Sequence, residues 1–167
     1  MTQPPAPRPT ATVAVQVDAA PAIAFDLFTR ELDLWWRRTP RYRHAGDLPG
    51  IVFLEPFVGG RLGERWRDGD QEREFVIGTV TAWDPPCRVA FTWRNATFAP
   101  SEETDVEVTF AAVGEGTLVT VRHHGWESLR PDHPARHGAD DGELARQVGL
   151  WWGEQLRVLR SRTRGGR

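Results

Sequence analysis

The chain has 167 residues, a net charge of -2 and 40% hydrophobic content, enough apolar material for one domain with a sizeable core. It has one cysteine, Cys87, which excludes an intrachain disulfide and a multi-cysteine zinc site. Every basic side chain is an arginine, so the absence of lysine removes Schiff-base and lysine-base chemistry. No apolar run reaches the roughly 18 residues of a membrane-spanning helix. The opening stretch lacks the apolar core of a signal peptide, and a cytoplasmic location is expected.

Residues 1–10, rich in Pro, Thr and Ala, are expected to be a disordered arm; one domain is expected over 11–162 and a flexible tail over 163–167. Ala11 to Val17 alternates apolar and polar residues and reads as a strand. Pro21 suits the first turn of a short helix running to about Thr29, and Leu32 to Trp36 makes a second helical turn that ends before Pro40. Arg41 to Pro49 reads as an open loop. From there the period is two: strands are predicted over Ile51–Phe57, Arg61–Arg67, Glu72–Trp83, Arg88–Arg94, Thr104–Val113 and Thr117–His124. Asp68-Gly69 is a hairpin turn, and Asp84-Pro85-Pro86 stops the long strand. A polar segment, Glu127 to Gly138, reads as a solvated loop. The chain closes on a helix predicted from Asp140 to Arg162.

That helix is the organising element. At about 100° per residue, Leu144, Val148, Trp151, Trp152, Leu156 and Leu159 share one arc, opposite Arg146, Gly153, Arg157 and Arg160. At about 1.5 Å per residue the rod is roughly 30 Å long and needs a broad concave partner. Gln155 interrupts the arc where packing alone would place an aliphatic. The order strand, two short helices, six strands, long helix is met by a curved sheet gripping that helix.

Several runs then resemble a known family. They are Val13-x-Val15, Pro21, Phe25-x-x-Phe28-Thr29 and Trp35-Trp36, then Glu55-Pro56-Phe57-Val58-Gly59-Gly60-Arg61 with Glu64 and Asp68-Gly69. Gly78-x-Val80, Asp84-Pro85-Pro86, Phe91-Thr92-Trp93, Thr104-x-Val106-x-Val108-x-Phe110, Gly116-Thr117-x-Val119-Thr120-Val121 and His123-x-Gly125-Trp126 continue the pattern. The set resembles START/Bet v 1-like (SRPBCC superfamily) domains, in the branch named after the activator of the heat-shock-protein-90 ATPase. The resemblance implies an α+β helix-grip fold: a curved seven-stranded antiparallel sheet wrapped around a long C-terminal helix, with two short helices between the first two strands. It also implies an elongated cavity for hydrophobic ligands.

Strand parity places Glu64 and His123 on otherwise apolar inward faces, with Gln155 meeting them from the helix. Binding of a hydrophobic or aromatic small molecule is therefore expected, contacted by Trp35, Glu64, Trp66, Phe91, Trp93, Phe110, His123, Trp151, Trp152 and Gln155. Glu64 and His123 are the candidate acid–base pair if the same pocket houses a cyclase or hydrolase-like enzyme. A co-chaperone-like protein-binding module is the third reading; it predicts a filled interior. No cofactor is expected. Adjacent strand residues face opposite ways, so His123 and His124 cannot share an ion, and His133 with His137 leaves too few ligands for zinc. Near-neutral charge speaks against nucleic acid despite the arginine-rich C-terminal end. The expected partners are the small molecule and, as one arrangement, a second copy of the chain.

Overall fold

The computed structural model describes residues 8–164 together with Thr2 and Pro4; the remainder of the expected N-terminal arm, and tail residues 165–167, lie outside the described residues. Strand β1 (Ala11–Val17) leads into α1 (Pro21–Thr29) and α2 (Leu32–Trp35). Strands β2 (Gly50–Leu54), β3 (Arg61–Asp68), β4 (Gln71–Asp84), β5 (Arg88–Trp93), β6 (Thr104–Val113) and β7 (Gly116–His124) follow, and α3 (Asp141–Arg164) ends the fold. Pro21 opens α1, where its fixed φ is already helical and its missing N–H is not needed. Asp140 caps α3: its Oδ1 accepts from the Glu143 N–H at 2.9 Å.

All seven strands lie in one antiparallel sheet, ordered β1-β7-β6-β5-β4-β3-β2. The first two strands in sequence are thus the two edges, and α1 and α2 connect them. Register shifts at Leu62/Gly63 and Val80/Ala82 mark bulges that curl the sheet. Alternation sets the inner face as expected: Val106, Val108 and Phe110 are buried opposite His123, Val121 and Val119. The helix presents Leu144, Trp152, Gln155, Leu156 and Leu159 to this face.

One end of the interior is solid. Phe25 and Phe28 meet the Phe110 ring at 5.1 and 5.7 Å, and Trp35 packs on Phe28 at 4.9 Å while its Nε1 donates to the Leu27 carbonyl at 3.0 Å. The short helices fill the deep part of the curl with aromatic rings.

Three local outcomes differ from the sequence reading. Strand β2 stops at Leu54, because the backbone turns back there and leaves Phe57 and Val58 53% and 62% exposed. The final helix continues to Arg164, past the expected start of the tail. The stretch read as a solvated loop instead builds a second small core, in which Trp126, Leu129 and Leu144 pack with Phe98. The Arg136 guanidinium is buried there because it donates to the Trp126 and Leu129 carbonyls at 2.7 and 3.1 Å and pairs with Asp141.

Gly78 shows how tightly the curl is wound: a Cβ there would stand 1.7 Å from the Thr92 carbonyl oxygen. Replacing Gly78 by Ala should cost about 2 kcal/mol or more, by forcing two strands apart. Gly153 in α3 has no atom within 4 Å of its virtual Cβ, so Gly153→Ala should stabilise by about 0.5–1 kcal/mol. Urea unfolding of both variants checks the pair, and the two shifts should have opposite signs.

Candidate functional site

The other end of the interior is hollow. A cleft of about 540 Å³ opens between the N-terminal half of α3 and the sheet. Trp93 and His123 come from β5 and β7; Leu144, Val148, Trp151 and Trp152 come from α3. Trp36, Tyr42 and His44 close one side, and Trp126, Ala135 and His137 the other.

The aromatic rings form a connected run. Trp126 packs on His123 at 4.5 Å, His123 on Trp93 at 5.8 Å, Trp93 on Trp151 at 5.6 Å, and Trp151 on Tyr42 at 5.3 Å. Trp36 stacks on Trp93 at 6.0 Å and meets Trp151 edge-on at 5.7 Å. Edge-to-face pairs of this kind hold rings in place beyond what buried area provides. The result is a rigid apolar wall.

His123 is the polar centre of that wall. Trp152 Nε1 donates to its Nδ1 at 3.1 Å, so Nδ1 carries no proton. Its Nε2 therefore donates to Thr104 Oγ1 at 2.8 Å, and the hydroxyl donates on to the Trp93 carbonyl at 3.3 Å. Burial, with a smaller contribution from His124, pushes His123 down to about 3. A neutral imidazole with both nitrogens engaged fixes Trp152 and Trp93 relative to each other.

Glu64 and Gln155 turn toward the segment beside the cleft. Glu64, fully buried, accepts the His44 N–H at 2.6 Å and the Ala45 N–H at 3.2 Å. Gln155 Oε1 accepts the Arg37 N–H at 3.0 Å. Arg43 donates to the Arg37 and Trp36 carbonyls, both at 3.0 Å, and to Asp33 Oδ1 at 3.0 Å. Trp36 Nε1 donates to the Tyr42 carbonyl at 2.8 Å. Burial pushes the Asp33 carboxyl up, but hydrogen bonds from the Val52 N–H, Arg43 and Arg38 outweigh it and hold the group below its usual range. The wall carrying Trp36 and Tyr42 is thereby tied to α2, β2, β3 and α3.

Of the ten residues expected to contact ligand, the fold brings Trp93, His123, Trp151 and Trp152 together along the cleft. Trp35, Phe91 and Phe110 lie in the solid end, and Glu64 and Gln155 brace the wall. Trp66 is half-buried beside Pro49, Gly50 and Arg65, in a separate surface groove at the β2 edge. The sequence reading left out Trp36, Tyr42, Trp126 and Asn95, which also line the cleft. Two signals pointed there: Trp36 follows Trp35, and Trp126 closes the His123-x-Gly125-Trp126 run.

Two predictions follow from these bonds. A Glu64→Gln side chain has one acceptor oxygen for two backbone donors, and should cost about 1–3 kcal/mol in urea unfolding while increasing amide exchange at His44 and Ala45. Burial also pushes His44 down to about 4, so it and His123 stay neutral in the folded chain while their unfolded forms protonate near pH 6.5. The unfolded state binds more protons in that window, so stability present above about pH 6.5 should fall as pH drops toward 4. His123→Phe should reduce the pH slope of stability between pH 6 and 4.5 by about one proton; an unchanged slope would contradict the buried neutral imidazole.

Comparison with known proteins agrees with the architecture. Among solved structures, CalU16 from Micromonospora echinospora shares 16% identity with a TM-score of 0.57, over 95% of this chain and 76% of that one. DynU16, a protein of the dynemicin biosynthetic locus, shares 21% with a TM-score of 0.59, over 93% of this chain and 47% of that one. The Aha1 dimer from Colwellia psychrerythraea shares 15% with a TM-score of 0.58, over 92% and 95% of the two chains. At these identities the likeness is one of fold. No curated protein matches the chain. The family model described as "Activator of Hsp90 ATPase homolog 1-like protein" matches residues 18–158, and the chain belongs to that family.

Proposed function

We propose that the chain binds a hydrophobic or aromatic small molecule in the cleft between the sheet and the N-terminal half of α3. The observation that carries this reading is a hollow of about 540 Å³ walled by indole rings, at one end of an interior packed solid at the other. It lies within the range of roughly 300–1,000 Å³ typical of ligand sites, and its mix of many apolar rings with few polar atoms is also typical. A filled interior, the mark of a module acting only through its surface, is not what the fold builds.

The acid–base reading gains no support from the geometry. Both nitrogens of His123 are occupied by protein partners, and both oxygens of Glu64 accept backbone N–H groups of the wall segment, His44 and Ala45. A general base needs a free atom within reach of the proton it takes.

Val148 lines the cleft and is only half-buried, so an indole there would occupy the space without disturbing the solid end. Val148→Trp should weaken binding of anilinonaphthalene sulfonate about tenfold or more while the thermal midpoint stays within a few degrees. Native mass spectrometry of the purified chain should show a co-purifying small molecule that Val148→Trp loses. Full retention of both signals in the variant would place binding elsewhere and refute the proposal.

A further inference from the structure

The cleft has an aromatic lining but no carboxylate. Its permanently charged lining residues are Arg41 and Arg43. Arg43 is neutralised by Asp33 at 3.0 Å, whereas Arg41 lies exposed at the lip and reaches Glu154 only at 3.6 Å. Arg37 joins it: the two guanidinium carbons stand 5.2 and 5.7 Å from the centre of the Tyr42 ring. An aromatic cage usually suits a cation, because ring faces are electron-rich. Here two cations already stand over the Tyr42 ring, and Trp151 meets Trp93 and Trp152 edge to face at 73° and 89°. A positive ligand would meet repulsion at the lip.

Two buried groups of the lining have no protein partner. Tyr42 Oη and Trp126 Nε1 are buried without a protein partner, in residues only 7% and 3% exposed. An indole N–H can only donate. Asn95 spends its Oδ1 on Trp93 Nε1 at 3.1 Å, which leaves its amide hydrogens as the unused group. Gln147 donates to Glu143 at 3.0 Å and keeps a carbonyl. Leaving a buried donor unpaired is costly, and a ligand oxygen placed against it removes that cost. Tyr42 and Trp126 stand at opposite ends of the run of rings.

Resting on the small-molecule reading above, we infer that the occupant is a planar aromatic anion with acceptor oxygens, of the carboxylate or phenolate class. Its charge lies at the Tyr42–Arg41 end. Charge-assisted hydrogen bonds of this kind are shorter and stronger than neutral ones, so charge should decide affinity among molecules of one shape.

Titration calorimetry at pH 7.5 with naphthoate, naphthamide and naphthyltrimethylammonium holds the ring constant and varies the charge. Naphthoate should bind about tenfold more tightly than the cation, with naphthamide between them. Arg41→Gln, on the exposed lip, should bring naphthoate to within about twofold of naphthamide. Tyr42→Phe should weaken naphthoate and naphthamide about fivefold and leave the cation unchanged. The cation binding as tightly as naphthoate overturns the inference, as does an equal loss across all three probes in the variants. If none of the three binds, the small-molecule reading itself falls.

Discussion

At Trp36–Arg37 and again at Tyr42–Ala45 the backbone runs along the interior with N–H and C=O groups that neither a helix nor the sheet satisfies. Such groups are tolerated only when side chains answer them. Gln155, Glu64 and Arg43 do so, and Asp33 holds Arg43 in turn. Each bond contributes on the order of 1 kcal/mol net, and those to charged groups about 1.5–3. Their larger effect is geometric. They fix a segment that would otherwise collapse into the hollow or swing away from it, so Trp36 and Tyr42 become a wall.

The division of the interior into a solid end and an open end follows from where aromatic rings are supplied. Helices α1 and α2 send Phe25, Phe28 and Trp35 onto Phe110 and close the deep end. At the other end the indoles of β5 and α3 are separated by the pinned segment and by the small core around Trp126. His123 is the hinge of this arrangement. Its two hydrogen bonds join α3 to the sheet, where an aliphatic residue would leave the Trp152 N–H without an acceptor. Buried polar networks of this sort specify one arrangement of rings among several that hydrophobic packing alone would permit.

The segment after β7 extends the same logic. His133 is fully buried: its Nδ1 accepts the Ala135 N–H at 3.0 Å, and its Nε2 lies 3.2 Å from Glu102, near but not aligned for a hydrogen bond. The loop before β6 and the loop after β7 thus meet through one imidazole and one carboxylate, and Arg136 ties the second loop to the start of α3. Polar residues that look solvated in a linear reading become structural when two loops can share them.

What the sequence determined by itself was everything governed by local period and punctuation. Alternation in Thr104–Val113 and Gly116–His124 set the inner face of the sheet, Pro21 and Asp140 set helix starts, and the stripe Leu144, Val148, Trp152, Leu156 and Leu159 set the gripped face of α3. The same parity placed Glu64 and His123 inside, and both are there. Which neighbours they meet was decided only by the tertiary structure, because parity says which face a side chain takes and nothing about what lies opposite. Glu64 and Gln155 meet backbone donors of a segment far away in sequence, and the cleft gathers Trp36, Tyr42 and Trp126 from loops with no period to read. A hollow is a relation among distant elements, so it exists only once the chain has folded.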